Sequence, residues 1–357
     1  MRNEFLYVGT FTDKSAEGVY VYRFDRDKLE FVPVDTVGGM VSPSFLTISH
    51  NKKYLYTANR GGIAAHPEWG SASAFEIDNK SGELSLINTI SSFGISPCHI
   101  SIDMTDKHVF LSHYISGSLT SIKVGGNGAL HSLKDTIRHT GRSIHSDRQL
   151  SPHIHSSQVS DNNKMLHVAD LGTDKMYSYI LNEDTGRLKL ADTLSVQPGS
   201  GPRHFTFHPS ASVLYVAEEL SSTVSTYSYD SISGKLDALS RISTLPSNFE
   251  GTSTAADIRI SPNGKFLYVS NRGHDSIAIF KLSQNGRELE QVGIEPSGGN
   301  QPRNLMIDEY GEFLFAANRY SNNITIFKIA QETGELNDTG IQLEVPSPVC
   351  MRMISLE

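Results

Sequence analysis

The sequence is poor in cysteine and carries no excess of positive charge. It contains 2 cysteines in 357 residues. Cys98 and Cys350 are too few for a disulfide framework, so we expect two buried free thiols in a reducing compartment. The net charge of −8 argues against binding to the nucleic-acid backbone, because such proteins normally carry a basic surface. A few local arginines would still suffice to bind a small anion.

Segments that would direct the chain to a membrane are also missing. The stretch MRNEFLYVGTFTDK lacks the apolar core of a secretory signal. No run of about 18 apolar residues indicates a transmembrane helix. We therefore expect a cytoplasmic protein that does not bind membranes. We also expect a monomer or a weak homodimer.

An internal repeat is what the sequence does have. Stretches such as SPSFLTISHNKKYLYTANR, which starts at Ser42, and GPRHFTFHPSASVLYVAEEL, which starts at Gly201, recur about every 50 residues, a period typical of propellers and solenoids. The repeated prolines lie at 43, 97, 152, 202 and 302, and Ala255 or Ala256 takes the fifth position. The last repeat starts at Ser347 with SPVC, and it contains only one strand.

Each repeat contains four short runs of β-branched and aromatic residues, separated by turn residues. Such runs predict strands, and four strands per repeat predict propeller blades. The N-terminal stretch FLYVGTF matches the second strand of a repeat, so we expect the C-terminal strand to complete the blade that the N-terminus begins. The sequence therefore predicts an all-β, seven-bladed β-propeller of four-stranded antiparallel blades. It would form a single domain over residues 1–357, its ring closed by N- and C-terminal strands that share one blade.

The topology of a blade predicts where functional side chains gather. The start of the innermost strand and the end of the second strand lie on the same face, so seven such pairs surround one mouth of the central channel. A concave place with convergent polar groups is the default candidate site, and its arginines would favour anions. The residues at these positions are His99, His153, His155, Arg203, His204, Arg303, Asn59, Arg60, His113, Asp170, Glu218, Glu219, Asn271, Arg272, Asn318 and Arg319.

Among these residues, Arg203 and Glu219 are the strongest functional candidates. Glu219 takes a slot that other repeats fill with Asn, His or Asp, and a residue that breaks the rule of a repeat serves a site more often than the repeat. A structural role is the alternative for the recurring Asn-Arg strand ends, and it is favoured for His204 and His208. His153 and His155 form a His-x-His pair that would suit a metal ion. No third ligand has a recognisable spacing, so we expect neither a metal nor a cofactor.

The segment 125–150 is longer and less regular than the other connections between repeats. It carries a series of basic residues, namely Arg138, His139, Arg142, His145 and Arg148. It leads directly into SPHIHS, so it could fold over the channel mouth as a lid. A solvated loop without a role is the alternative.

The runs SPHIHS, GPRHFTFHP, DIRISPNGKFLYVSNR and QPRN resemble the seven-bladed lactonase family. This family includes bacterial 6-phosphogluconolactonases and the fungal 3-carboxy-cis,cis-muconate lactonizing enzyme, and the resemblance covers nearly the whole chain. It implies a catalytic site of one histidine, two arginines and one glutamate, which fall by motif on His155, Arg203, Arg272 and Glu219. From the mouth positions we expect His99, His153 and Arg303 to bind the substrate.

The resemblance implies hydrolysis of a small anionic lactone, 6-phospho-D-glucono-1,5-lactone of the pentose phosphate pathway. Either Glu219 or His155 would act as the general base, and Arg203 or Arg272 would stabilise the oxyanion. One alternative is a lactonizing cycloisomerase that uses the same arginines to bind carboxylates. Another is a binding scaffold, which predicts apolar or aromatic residues at the mouth. No G-x-S-x-G elbow or P-loop is present, so covalent nucleophilic catalysis has no support.

Overall fold

The computed structural model describes residues 3–356, and within this range every regular element is a β-strand. None of these residues forms a helix that could cross a membrane. The strands in chain order are β1 (Asn3–Thr10), β2 (Val19–Asp25), β3 (Glu30–Val37), β4 (Pro43–Ile48), β5 (Tyr54–Asn59), β6 (Ser71–Ile77), β7 (Leu84–Ser91), β8 (Pro97–Ile102), β9 (His108–His113), β10 (Ser118–Val124), β11 (Leu130–Arg138), β12 (Ile154–Val159), β13 (Met165–Asp170), β14 (Lys175–Leu181), β15 (Leu188–Ser195), β16 (Pro202–Phe207), β17 (Val213–Glu218), β18 (Thr223–Tyr229), β19 (Leu236–Ser243), β20 (Thr254–Ile260), β21 (Phe266–Arg272), β22 (Ser276–Leu282), β23 (Leu289–Pro296), β24 (Pro302–Ile307), β25 (Phe313–Asn318), β26 (Asn323–Ile329), β27 (Leu336–Glu344) and β28 (Pro348–Leu356).

These strands form seven four-stranded sheets, so the predicted seven-bladed β-propeller is confirmed. Blade 1 is built from both ends of the chain, because β28 pairs antiparallel with β1, and β2 and β3 follow outwards. Blades 2 to 7 each consist of four consecutive strands, from β4–β7 to β24–β27. The innermost strands contact one another in a closed cycle that ends with β28 against β4. The ring therefore has no open interface between blades.

The outermost strand of each blade is the least buried. The second strand β9 is buried at every position, whereas most positions of the outermost strand β15 are exposed or half-buried. Blades pack face to face, so neighbouring strands cover both faces of a second strand such as β9. Cys98 and Cys350 lie in innermost strands as buried free thiols, as expected from the sequence.

A glycine turn between the third and fourth strands docks a blade onto its neighbour. Gly334 has a φ of +76°, and a Cβ at this position would lie 2.3 Å from the ring of Phe266 in the preceding blade. The carbonyl of Gly334 accepts a hydrogen bond of 3.0 Å from the hydroxyl of Tyr268. Tyr7 and Gly82 repeat this contact at 3.0 Å between the first two blades. The recurring turn motif is therefore an inter-blade contact as well as a strand connection.

Each blade carries a β-bulge where the innermost strand enters the sheet. In blade 5, for example, Pro202 pairs with Glu218 and His204 pairs with Ala217, which leaves Arg203 unpaired. A bulge re-aims the side chain of the extra residue, and here it lies at the channel mouth. The bulged residues of the seven blades are Val349, Ser44, Cys98, His155, Arg203, the pair Ala256 and Asp257, and Arg303.

Candidate active site

A second ring of side chains surrounds the same mouth, at the point where each second strand leaves its sheet. From blade 1 to blade 7 this position holds Phe11, Arg60, Tyr114, Leu171, Glu219, Arg272 and Arg319. Glu219 is the one carboxylate among these seven residues. The bulged residues and the residues at the strand ends together supply the ionisable side chains of the mouth.

The strand register corrects the position that the sequence assigned to Glu219. Glu218 pairs with Pro202 just as Asn59 pairs with Pro43. The expectation that Glu219 fills the Asn, His or Asp slot is therefore wrong, because Glu218 fills it. Glu219 still departs from its true slot, which the other blades fill with Arg, Tyr, Leu or Phe.

Glu219 lies at the centre of a cluster of positive charges and is 2% exposed. Its Oε2 lies 2.9 Å from Nε of Arg203 and 2.8 Å from Nη2 of Arg272. Its Oε1 accepts a hydrogen bond of 2.5 Å from Arg148. Burial alone would raise the pKa of Glu219, but the charges of Arg272 and Arg203 hold this pKa well below its usual range. The carboxylate is therefore ionised at neutral pH.

His155 faces the same carboxylate, with Nε2 4.0 Å from Oε2 of Glu219. The imidazole is buried and lies edge-on to the ring of Tyr114, at 5.6 Å between centroids. Burial and the positive charge of Arg203 lower the pKa of His155 well below its usual value. His155 is therefore neutral at neutral pH, and it can accept a proton.

Arg203 and Arg272 bind the same carboxylate but differ in access to the mouth. Arg203 is 1% exposed, and its guanidinium donates to the carbonyl of Ala256. Burial and the charge of Arg272 lower the pKa of Arg203 to about 10. The Arg272 side chain is 11% exposed, against 2% for that of Arg203. Arg203 is thus fixed beneath Glu219, whereas Arg272 can still donate to a ligand.

The structure also brings Arg303 and His153 to this mouth, although neither contacts Glu219 directly. Arg303 is the bulged residue of blade 7, and its guanidinium lies 5.1 Å from the centroid of the Phe11 ring. His153 stacks on Tyr114 with 4.3 Å between the ring centroids and donates from Nδ1 to the Tyr114 carbonyl at 2.6 Å. Both side chains are therefore available at the rim.

His99 lies one residue beyond a bulge and therefore deeper in the channel. Its ring packs on Phe45 at 4.2 Å and on His204 at 5.6 Å between centroids. It lines a cavity of about 360 Å³ that also borders His50 and Asp161, at the far ends of innermost strands. His99 is thus separated from the mouth that holds Glu219 and faces the opposite opening.

Arg148 belongs to the site, although the sequence did not mark it as a catalytic residue. It lies in the connection between β11 and β12, and its Nη2 donates to Glu219 and, at 3.0 Å, to the hydroxyl of Tyr114. The connection is anchored by Gln149, whose Nε2 donates to the carbonyl of Leu171 at 2.8 Å. The only sequence signal was the series of basic residues before SPHIHS. The expectation that 125–150 is an irregular connection is wrong for Leu130–Arg138, which form the regular strand β11. After β11 the connection reaches the mouth through Arg148, and a lid over the mouth stays a prediction.

The His-x-His pair does not form part of a metal-binding cluster. Within residues 3–356, no group of three or more His, Cys, Asp or Glu residues is arranged to hold a metal ion. His153 precedes β12, while His155 is the bulged residue of that strand. The bulge between them therefore breaks the regular alternation that would have placed both rings on one face.

Known proteins similar to this chain match most or all of its length. Residues 5–353 match the family model described as "Lactonase, 7-bladed beta-propeller". The chain is 38% identical over 309 residues to a 6-phosphogluconolactonase from Formosa agariphila, a match that covers 85% of this chain and 86% of the relative. It is 34% identical over 348 residues to a 6-phosphogluconolactonase from Bacillus subtilis, with 98% and 97% covered. A periplasmic gluconolactonase from Pseudomonas aeruginosa has the same fold, with a TM-score of 0.93, 29% identity and 99% of each chain covered.

Proposed function

The chain belongs to the seven-bladed β-propeller lactonase family, and from this membership we propose that it hydrolyses 6-phospho-D-glucono-1,5-lactone to 6-phosphogluconate in the pentose phosphate pathway. The observation that carries the proposal is the ionised Glu219, buried between three guanidinium groups beside a neutral imidazole. Relatives named 6-phosphogluconolactonase support the substrate class.

His155 is the general base of the proposed reaction. It removes a proton from a water molecule while the water oxygen adds to the C1 carbonyl of the lactone. The nearby carboxylate of Glu219, 4.0 Å from Nε2, stabilises the imidazolium that forms through the attraction of opposite charges. Glu219 is not free to take the proton, because Arg148 holds its Oε1 and Arg203 and Arg272 hold its Oε2.

Arg272 stabilises the negative charge that develops on the carbonyl oxygen. It is the more accessible of the two arginines that contact Oε2 of Glu219, with 11% of its side chain exposed against 2% for Arg203. A preorganised cationic donor at such a position lowers the barrier through electrostatic stabilisation. Arg203 is a positioning residue, since it is almost fully buried and acts on the reaction through Glu219.

The tetrahedral intermediate collapses when the bond between C1 and the ring oxygen breaks. The imidazolium of His155 returns its proton to the departing C5 oxygen, which becomes a hydroxyl group. The product carries a new carboxylic acid at C1, which ionises and releases one proton to the solvent. Water is added overall, and no other reactant is needed.

The test is the turnover of freshly prepared 6-phosphogluconolactone, corrected for its spontaneous hydrolysis. Glu219→Gln and Arg203→Ala should each lower kcat by at least about tenfold, the scale of losing one charged catalytic interaction. Circular dichroism should show a folded protein in both cases. Glu290→Gln, on the exposed face of β23, is the matched control and should leave kcat unchanged.

Two outcomes would contradict the proposed function. Unchanged kcat in both site variants would remove this mouth as the active site. Absence of turnover by the unaltered protein, together with lactonization of a carboxymuconate, would instead assign the chain to the cycloisomerase alternative.

A further inference from the structure

Three arginines converge on one aromatic ring at the part of the mouth away from Glu219. The guanidinium carbons of Arg60, Arg319 and Arg303 lie 4.3, 4.4 and 5.1 Å from the centroid of the Phe11 ring. Phe11 is 5% exposed and follows directly on β1. A cation on an aromatic face is held in place while its N–H donors stay available, so the ring fixes the arginines without using up their hydrogen bonds.

This cluster has an excess of positive charge that the protein itself does not compensate. Within residues 3–356, Arg319 is the only one of the three with an ion pair, at 2.8 Å to Asp13, whose side chain is 45% exposed. The Nε atoms of Arg60 and Arg319 have no hydrogen-bond partner among these residues. Two of the three guanidinium groups are thus without an ionic partner within residues 3–356, which suits the cluster to a bound anion.

Electrostatic repulsion among the arginines of the mouth also favours a bound anion at this cluster. Burial and the charges of Arg203, Arg272 and Arg60 lower the pKa of Arg303 well below its usual value. Burial and the charge of Arg319 likewise lower the pKa of Arg60. A multiply charged anion between these guanidinium groups would offset the repulsion between their positive charges.

The cluster lies on other blades than the reacting groups but adjoins them through Arg303, whose charge interacts with Glu219 and Arg272. Phe11, Arg60 and Arg319 come from the adjacent blades 1, 2 and 7, whereas Glu219 belongs to blade 5 and His155 to blade 4. In 6-phosphoglucono-1,5-lactone, C1 and C5 flank the ring oxygen, and the phosphate hangs from C5 on the flexible C6 arm. A cluster that adjoins the Glu219 part of the mouth through Arg303 is therefore suited to hold the phosphate while the carbonyl faces Glu219.

We propose that Arg60, Arg303 and Arg319, supported by Phe11, form a phosphate-binding subsite that selects phosphorylated lactones over their unphosphorylated counterparts. This inference rests on the proposed lactonase function of the same mouth. It assigns the phosphate to a cluster distinct from Arg203 and Arg272, which remain with Glu219. Guanidinium groups suit this role because they bind phosphate oxygens in a bidentate manner.

The kinetic test compares 6-phosphogluconolactone with D-glucono-1,5-lactone, each corrected for spontaneous hydrolysis. Arg319→Met should lower kcat/KM for the phosphorylated lactone by about 10- to 100-fold, the expected loss for a charged hydrogen bond to phosphate. The same variant should change kcat/KM for the unphosphorylated lactone by less than about threefold. Arg319→Lys should recover part of the loss. Arg23→Met, an exposed arginine on β2 of the same blade as Phe11, is the matched control and should change neither value.

A binding measurement tests the phosphate-binding subsite independently of catalysis. In calorimetry, the unaltered protein should bind 6-phosphogluconate at least about tenfold more tightly than gluconate, and Arg319→Met should remove this preference. Equal losses for both lactones, or an unchanged preference in the folded variant, would overturn the subsite while leaving the lactonase function in place. Absence of turnover on either lactone would instead overturn the proposed function, and the calorimetric preference would still decide the subsite.

Discussion

Glu219 illustrates how a single residue depends on neighbours that are distant in sequence. Its three cationic contacts come from Arg148, Arg203 and Arg272. Sequence alone placed Arg203, Arg272 and Glu219 at one mouth, because strand ends converge in a propeller. It did not reveal that Arg148 completes the cluster, since that residue lies in a connection without regular structure and follows no repeat.

The ionisation of His155 gives a prediction at this scale. Its pKa is lowered well below the usual value by burial and by Arg203, so the base is already deprotonated at neutral pH. We expect enzymatic kcat for lactone hydrolysis to change by less than about twofold between pH 6 and pH 8, and to fall only at lower pH as the imidazole takes up a proton. The measurement is a pH–rate profile corrected for the uncatalysed reaction. A rise in kcat with a midpoint near the ordinary histidine pKa of about 6.5 would exclude this assignment.

At the scale of elements, the strands were predictable and the bulges were not. Alternation and apolar runs mark strands in the sequence, but a bulge adds one residue without changing composition. In SPHIHS, Pro152 looks equivalent to the other repeated prolines, yet Ile154 is the residue that pairs with Asp170 at the strand end. This offset separates His153 from His155, which a regular strand would have placed on one face.

The inter-blade glycine turn gives a prediction for stability. Gly334→Ala should lower the free energy of unfolding by about 2–4 kcal/mol, because a Cβ there would require both a strained φ and displacement of the Phe266 ring. Gly340→Ala is the matched control, since Gly340 has a similar φ of +73° but no atom within 4 Å of the point that a Cβ would occupy. It should cost about 1 kcal/mol, the effect of backbone strain alone. The measurement is urea-induced unfolding, and equal losses for the two variants would show that the turn does not act through contact between blades.

At the scale of the whole molecule, the repeat and its incomplete ends were sufficient to predict a closed ring. The match between FLYVGTF and the second strands placed the N-terminus in a blade that lacked its first strand, and β28 supplies that strand. The depth of each side chain along the channel could not be predicted in the same way. His99 faces the opposite opening because it lies one residue past the bulge, a distinction that the repeat pattern does not contain.

Closure of the ring predicts that the seven blades unfold as one unit. Removal of residues 348–357 would leave β1 without its inner partner and blades 7 and 2 without the β28 contacts. We expect this shortened chain to be insoluble or to lose cooperative thermal unfolding, because edge strands and apolar blade faces become exposed. Removal of residue 357 alone is the control. A shortened chain that melts cooperatively near the temperature of the full chain would argue against closure as the source of stability.

A crystal structure with 6-phosphogluconate bound is the most direct test of the claim that the Glu219 mouth binds the substrate. We expect a phosphate group in hydrogen-bond contact with Arg60 and Arg319, and a carboxylate beside Arg272. A ligand in the cavity lined by His99 and Asp161, at the opposite opening, would contradict this claim.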